Sequence, residues 1–200
     1  MKRPINADYF RIDGQELPIN CVKDSGCYPE ILTAIYTQLM AMLSHHNKIL
    51  VIRVDIHFAD NPKTNKTISL ILKKFKRKLE KTGYAFKRLG YVWAREMSST
   101  KNIHYHLVYM VDGNKVQSSF TLNQLLDEIV MFIDTKINIH YPTKGKSSYR
   151  MIKRSDKQGI LDIFKWLSYL AKERSKGQRE ATTNDYSASR LSARNYPKEN

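Results

Sequence analysis

Residues 103–111 read IHYHLVYMV, and the interpretation of the rest of the chain follows from this stretch. It is rich in β-branched and aromatic residues, which favour a strand. Successive side chains of a strand point to opposite faces, so His104 and His106 project from the same side of the predicted sheet. Two imidazoles at this spacing can bind one divalent metal ion. Two half-buried polar histidines without a ligand are the alternative interpretation.

The residues before this strand predict its hairpin partner. Residues 90–97 have the pattern of a second strand, and the polar sequence at 98–102 predicts the turn between the two. If that turn centres on Thr100, Glu96 lies directly across from His104 and on the same face, whereas a slip of one residue sends it to the other face. Two imidazoles and one carboxylate form a metal site with open positions for substrate oxygens. Mg²⁺, Mn²⁺ and Zn²⁺ all accept such ligands.

A third strand and four helices complete the predicted domain. Residues 49–58 alternate, with apolar residues on one face and Arg53, Asp55 and His57 on the other. The spacing of apolar residues predicts helices at 29–43, 67–81, 122–137 and 159–172. This order predicts an α+β fold, with a central antiparallel sheet, helices packed on one face and the site on the other.

The last predicted helix carries a tyrosine that points away from the core. On a helix that starts near Ile160, Tyr169 falls almost opposite the centre of the apolar stripe. Lys172 follows three residues later, about 60° around the helix, and rises beside the phenol. A nearby ammonium favours the phenolate and can neutralise a phosphate oxygen, so Tyr169 is a candidate nucleophile. A surface tyrosine that lies beside lysines by chance is the alternative.

The charge of the chain predicts a polyanionic partner. It has 34 Lys and Arg against 19 Asp and Glu, a formal net charge of +15 and a pI near 9.8. Charge alone does not separate DNA, RNA and an anionic membrane, although it favours a nucleic acid. The basic segment at 136–157 predicts contact with a nucleic acid backbone, and a solvated, flexible loop is the competing interpretation. The candidate backbone contacts are Arg53, Arg150, Lys153 and Arg154.

Length and composition predict one domain with two extensions. With 200 residues, 42% of them hydrophobic, the chain can bury one core. We divide it into a leader and helix at 1–47, a domain that carries the site at 48–176, and a flexible polar tail at 177–200. No stretch resembles a signal peptide or a membrane span, which predicts a cytoplasmic protein. Cys21 and Cys27 are expected to be free thiols in a reducing compartment, although a disulfide is possible.

Four blocks of the sequence, taken in order, resemble a known family. The blocks are VIRVD at 51–55, ARE at 94–96, IHYHL at 103–107 and SYLAK at 168–172. They look like the motifs of the HUH endonucleases, named for histidine-hydrophobic-histidine, which initiate rolling-circle replication. The residues around the motifs are similar to those of the inovirus-type gene II replication proteins of filamentous phages and integrated bacterial elements. The resemblance covers about residues 48–175.

This resemblance implies a metal-dependent, site-specific single-strand DNA endonuclease, or nickase. It implies Mg²⁺ or Mn²⁺ held by His104 and His106, with Glu96 as the third ligand. Tyr169 would form a 5′-phosphotyrosine link, and Lys172 would orient or neutralise the phosphate. Single-stranded DNA or a hairpin origin is the implied substrate, and a host helicase and polymerase are the implied partners because the sequence has no GxxxxGK[ST] loop. A transposase or relaxase with the same chemistry, or a non-catalytic nucleic-acid-binding regulator, are the alternatives.

Overall fold

The computed structural model describes residues 3–21, 25–97, 102–142, 148–173 and 183–194. Its strands are β1 (Tyr9–Ile12), β2 (Gln15–Pro18), β3 (Lys48–Phe58), β4 (Gly90–Met97), β5 (Ile103–Asp112), β6 (Ile137–His140), β7 (Tyr149–Lys153) and β8 (Tyr186–Ala188). Its helices are α1 (Pro29–His45), α2 (Lys66–Lys81), α3 (Phe120–Ile133) and α4 (Lys157–Leu167), and a 3₁₀ turn (Ser168–Ala171) follows α4 directly. Within these ranges, no helix combines the length and the apolar character needed to cross a membrane.

Six strands form an antiparallel sheet in the order β6, β3, β5, β4, β8, and β7 also pairs with β3. β6 pairs with residues 55–58 and β7 with residues 48–52, so both lie along the edge of β3 opposite β5. β3 and β5 lie at the centre because their sequences are apolar enough to be buried on both faces over much of their length. The predicted α+β fold with a central antiparallel sheet is therefore confirmed.

Helices cover both faces of this sheet. α2 and α3 pack against the face that includes Leu50, Ile52, Tyr105 and Leu107. α1 and α4 pack against the opposite face at Ile49, Val51, Val108 and Met110. The expectation that helices pack on one face only is wrong in this respect. The face that carries Ile49, Val51, Val108 and Met110 is also apolar, so it too must be covered.

The face covered by α1 and α4 becomes polar further along the strands. Beyond Val51 and Val108, the same face carries Arg53, Asp55 and His57 on β3 and His106 and His104 on β5. A strand places every second residue on one face, so these side chains form a continuous polar patch next to the apolar one. The candidate site lies in this patch.

The N-terminal residues, predicted to be an irregular leader, form a hairpin that packs on the domain. Asp13 and Gly14 join β1 to β2 with φ of 50° and 73°, and a tight two-residue hairpin turn requires such positive values. Cys21 and Cys27 form a disulfide, so the expectation of free thiols is wrong. Their Cα atoms lie 5.8 Å apart at a sequence separation of six residues, a distance that is usual for a disulfide.

Residues 183–194, predicted to belong to a flexible tail, are part of the folded domain. β8 pairs with residues 92–94 of β4. Gln38 Oε1 of α1 accepts hydrogen bonds from the Ser189 hydroxyl and the Leu191 N–H. The rest of the predicted tail, at 177–182 and 195–200, lies outside the described residues, as does most of the predicted turn at 98–102.

Candidate metal centre and its neighbouring tyrosine

The sheet brings together the three predicted metal ligands. β4 and β5 pair in the register that sets Glu96 opposite His104 and Ala94 opposite His106. The predicted register is therefore confirmed, and all three ligand side chains share one face. Glu96 and His106 are buried, while His104 is half-buried.

The ligand atoms lie close enough to share one ion. Nε2 of His106 is 3.2 Å from Nε2 of His104 and 3.1 Å from Oε2 of Glu96. The third separation, between His104 Nε2 and Glu96 Oε2, is 3.6 Å. Ligands held at about 2.1 Å from an ion lie about 3.0 Å apart in an octahedron. The two imidazoles and the carboxylate therefore fit a divalent cation and leave further coordination positions for substrate oxygens.

Asp55 of β3 orients one of these ligands, a role that the sequence prediction did not give it. His106 Nδ1–H donates to Asp55 Oδ1 at 2.6 Å, which leaves Nε2 directed at His104 and Glu96. A carboxylate behind a metal-binding histidine fixes its tautomer and ring orientation. The signal was present in the sequence, since Asp55 alternates with Arg53 and His57 on one face of β3. What the sequence lacked was the pairing of β3 with β5, which sets Asp55 opposite His106.

The charged forms of His106 and Asp55 stabilise each other. Burial would lower the pKa of the His106 imidazole, but its hydrogen bonds to Asp55 and Glu96 raise that pKa above the usual value. Burial would likewise raise the pKa of Asp55, but its hydrogen bond to His106 and the charges of His106 and Arg53 lower it. A histidine must give up its Nε2 proton to bind a metal, so an ion bound here would displace that proton.

Tyr169 lies against the metal ligands, on the 3₁₀ turn rather than on a continuous helix. α4 ends at Leu167, so the predicted helix to residue 172 is too long, and Lys172 N–H donates to the Tyr169 carbonyl at 3.2 Å. The phenol ring lies 5.3 Å from the His106 ring, centroid to centroid, with the planes at 83°. Tyr169 is half-buried at the edge of the core. The structure thus joins two predicted groups that lie 63 residues apart in the chain, as counted from His106 to Tyr169.

Two cations flank the Tyr169 ring. Arg53 of β3 places its guanidinium carbon 4.1 Å from the ring centroid, and Lys172 places Nζ 5.2 Å from it. Lys172 is buried, with 5% of its surface exposed, and Arg53 also lies 3.7 Å from Asp55 Oδ1. Positive charge in a partly buried pocket attracts an anion more strongly than it does in open water. The surroundings of Tyr169 therefore suit a phosphate group.

The 3₁₀ turn is held by a segment from the other end of the chain, the described residues 20–21 and 25–28, which we call the N-terminal brace. Three backbone N–H groups make the hydrogen bonds: Asn20 N–H to Ser168 Oγ at 2.8 Å, Tyr28 N–H to the Ala171 carbonyl at 2.8 Å, and Glu173 N–H to the Gly26 carbonyl at 2.7 Å. Cys27 also forms a β-bridge with Lys172, and the disulfide closes the brace. Residues of the predicted leader thus position the candidate nucleophile.

The four predicted DNA-binding residues divide into two groups. Arg53 lies in the site, and Arg150 lies on the same face at the β7 edge, with its guanidinium carbon 4.9 Å from the Trp166 centroid. Lys153 pairs with Lys48 at the start of β3, about 23 Å along the strand from Asp55. Arg154 lies next to Lys153 and donates to the Leu43 and Ser44 carbonyls at the end of α1. Of these four residues, Arg53 is the one whose side chain lies against the Tyr169 ring.

Two further histidines share the polar face. His57 stacks on His104, with ring centroids 5.3 Å apart, and is exposed to solvent. Neighbouring groups remove part of the hydration of this ring, and this partial desolvation and the charge of His104 lower the pKa of His57. His140 lies on the edge strand β6 and pairs with Asp55 of β3. Both histidines border the metal centre without belonging to the group of three ligands.

Comparison with known proteins gives one family match. The sequence model of the YagK/YfjJ C-terminal domain matches residues 15–185. A de novo designed protein, Foldit4, is similar over 53% of this chain and 97% of its own, with a TM-score of 0.30 and 8% identity. No curated protein matches the chain.

The family match corrects the resemblance drawn from the motifs. The expectation that the chain is an HUH endonuclease of the inovirus gene II type is wrong, because the matching family is a different one. The resemblance rested on four short blocks, whereas the family match extends over most of the chain. The geometry around Tyr169 and the histidines does not depend on either comparison, and it is the basis for the function proposed below.

Proposed function

The chain belongs to the family of the YagK/YfjJ C-terminal domain, and we propose from its site that it is a metal-dependent endonuclease that nicks one strand of DNA through Tyr169. The observation that carries the proposal is the Tyr169 ring, 5.3 Å from the ring of the metal-ligand candidate His106 and flanked by Arg53 and Lys172. A nucleophile, a cation site and two basic side chains are the groups that phosphodiester cleavage needs. The cation site and Arg53 lie on one face of the sheet, and Tyr169 and Lys172 lie against that face.

The reaction proposed for this site is a transesterification. The Tyr169 oxygen attacks the phosphorus, the bond from phosphorus to the 3′ oxygen breaks, and the phenol proton ends on the released 3′-hydroxyl. The product is a 5′-phosphotyrosine link, which conserves the phosphoester for later rejoining. Mg²⁺ or Mn²⁺ bound by Glu96, His104 and His106 would polarise the phosphate. Lys172 and Arg53 would neutralise its oxygens and hold the phosphate near the ring.

The biological role that we propose is initiation of rolling-circle replication of a phage or mobile element. The substrate would be single-stranded DNA or the loop of a hairpin origin, because the scissile backbone must reach a half-buried tyrosine. The net charge of +15 supports a nucleic acid substrate. The free 3′-hydroxyl would prime a host polymerase, and a host helicase would unwind the duplex.

An adduct assay tests the proposal. Purified protein is mixed with labelled single-stranded DNA from its own replicon, with and without Mn²⁺. The amount of SDS-resistant protein–DNA adduct is then measured by denaturing gel electrophoresis. Tyr169→Phe should abolish the adduct and leave DNA binding nearly unchanged, since only a hydroxyl is lost. Tyr186→Phe is the matched control. Tyr186 lies on β8, opposite Ala94, on the face of the sheet that carries His106 and two strands away from β5. It is also half-buried.

Each outcome separates two functions. A metal-dependent adduct that disappears only in Tyr169→Phe supports the nickase, and the cleaved sequence then distinguishes a replication origin from a transposon end or a transfer origin. An adduct that survives in Tyr169→Phe contradicts the assignment of the nucleophile. DNA binding without an adduct on any strand, hairpin strands included, would favour a non-catalytic regulator.

A further inference from the structure

We propose that the groove between α2 and α3 binds an acidic peptide segment of a partner protein, anchored by one large apolar side chain. These two helices cover the face of the sheet opposite the metal centre. A partner bound there would leave the Tyr169 face accessible to nucleic acid. The inference does not depend on the function proposed above.

The apolar part of the groove is at the end of α3. Phe132, which lines the groove, has 80% of its surface exposed, the highest value among the exposed large hydrophobic residues of the described chain. Single exposed apolar side chains are common on protein surfaces, but one that lines a concave surface next to a buried apolar residue is a candidate contact for a partner. Ile129, one helical turn before, is buried and lines the groove. An apolar side chain could thus bury itself against Ile129 and Phe132.

The charged part of the groove is on α2. Lys74, Arg77, Lys78 and Lys81 line it, together with Glu128, Ile129 and Phe132 of α3. The spacing of these cations by three and four residues sets them along one side of the helix. Lys74 Nζ lies 4.8 Å from the centroid of the Phe132 ring, and Glu128 is the only carboxylate among the lining residues, 3.9 Å from Lys78 Nζ. The excess of positive charge is complementary to an acidic peptide.

The shape and chemistry of the groove favour a peptide over a nucleic acid. Its volume is about 470 Å³, within the range of about 300–1,000 Å³ that is usual for ligand pockets, so it has room for one large side chain. Its apolar surface consists of the Ile129 side chain and one aromatic ring, Phe132, and Lys74 Nζ lies 4.8 Å from the centroid of that ring. Binding of single-stranded nucleic acid uses several aromatic rings on which successive bases stack, and this groove offers only one. An acidic segment with an aromatic or aliphatic anchor can contact both the cations of α2 and the apolar side chains of Ile129 and Phe132.

Fluorescence anisotropy with the full-length protein tests this inference. The probe is a labelled aspartate-rich peptide that contains one phenylalanine, and its partner probe carries alanine in place of the phenylalanine. Phe132→Ala should weaken binding of the first probe about tenfold, as loss of an anchor contact does. Lys74→Glu/Arg77→Glu should weaken it by more than tenfold because two attractive charges become repulsive. Lys157→Glu, at an exposed lysine at the start of α4, is the matched control and should bind normally.

Several results would overturn the inference. It fails if the first probe does not bind, if the probe without phenylalanine binds equally well, or if neither variant changes the affinity. It also fails if labelled oligothymidylate binds instead and loses affinity in the same variants, because the surface would then be a nucleic acid site. Phe132 is exposed, so its variant should fold. Lys81→Glu, at another exposed residue that lines the groove, provides a second test if Phe132→Ala melts below the wild type. Covalent adduct formation should stay at the wild-type level in Phe132→Ala.

Discussion

The two halves of the candidate site are held in different ways. The metal half, Glu96, His104, His106 and Asp55, lies on three neighbouring strands whose register is fixed by backbone ladders. The tyrosine half consists of Tyr169, on a short 3₁₀ turn, and Lys172, the residue that follows this turn. The N-terminal brace holds the turn and the two residues after it by three hydrogen bonds, a β-bridge and a neighbouring disulfide. One half belongs to the sheet, and the other is attached to it.

This difference predicts that the two halves respond to different changes. A strand cannot shift by one residue without turning its side chains to the other face, so the metal half is either formed or lost with the sheet. A short turn held by few bonds can move while the sheet stays intact. Damage to the brace should therefore displace Tyr169 without weakening metal binding, whereas changes in the metal half should affect both metal binding and cleavage.

Loss of one metal ligand should have the largest effect. In His104→Ala, Mn²⁺ affinity measured by calorimetry should fall by roughly a hundredfold or more, since even partners of metal ligands contribute 10- to 100-fold. The metal-dependent adduct should fall with it. His57→Ala is the control, because His57 stacks on His104 from the same face but is not one of the three ligands. Equal losses in the two variants would contradict the assigned ligand set.

The loss of the Asp55 carboxylate should have the next largest effect. Asp55→Asn keeps the shape of the side chain but weakens its hold on His106 Nδ1–H, so Mn²⁺ affinity should fall about 10- to 100-fold. Calorimetry measures the change, and circular dichroism checks the fold. Asp112→Asn is the control, because Asp112 lies at the far end of β5, opposite Ile49. Unchanged Mn²⁺ affinity in Asp55→Asn would mean that Asp55 does not orient His106.

The metal half could largely be predicted from the sequence because its three ligands lie close together in the chain, on the two strands of one hairpin. Alternation along residues 103–111 gave the shared face of the histidines, and a short hairpin gave the position of Glu96. Asp55 was visible on its face of β3, but its contact with His106 depends on strand order, which a single sequence does not specify. The same limit explains the second helical layer, since nothing local indicates that α1 and α4 return to the other face.

The tyrosine half could be predicted only in part. The sequence suggested that Tyr169 and Lys172 are neighbours, but the end of α4 at Leu167 depends on long-range contacts. Asn20 and Ser168, for example, are 148 residues apart. The spacing of Cys21 and Cys27 fitted no zinc ribbon, so the sequence favoured free thiols and left a disulfide possible. The Asp13-Gly14 turn was the one local signal of folded structure in the leader, and it is a common hairpin signal.

Removal of the disulfide should separate the two halves. Cys21→Ser/Cys27→Ser opens a short loop, which should lower the free energy of unfolding by about 2 kcal/mol in chemical denaturation. Mn²⁺ affinity should stay at the wild-type level, while the yield of covalent adduct falls because the brace no longer holds the turn. Wild-type protein treated with dithiothreitol should behave in the same way. A parallel loss of Mn²⁺ affinity would contradict the idea that the halves are held independently.

A single brace contact should have the smallest effect. The buried Ser168 hydroxyl accepts from Asn20 N–H at 2.8 Å and donates to the Lys165 carbonyl at 2.7 Å, so Ser168→Ala leaves a backbone donor without its acceptor. The free energy of unfolding should fall by about 1 kcal/mol. Ser69→Ala is the control, since that exposed hydroxyl bonds only within its own helix end and its loss should be nearly neutral. If Ser168→Ala lowers adduct yield but not Mn²⁺ affinity, the position of Tyr169 depends on this contact; equal losses of both would mean that the turn and the sheet act as one rigid unit.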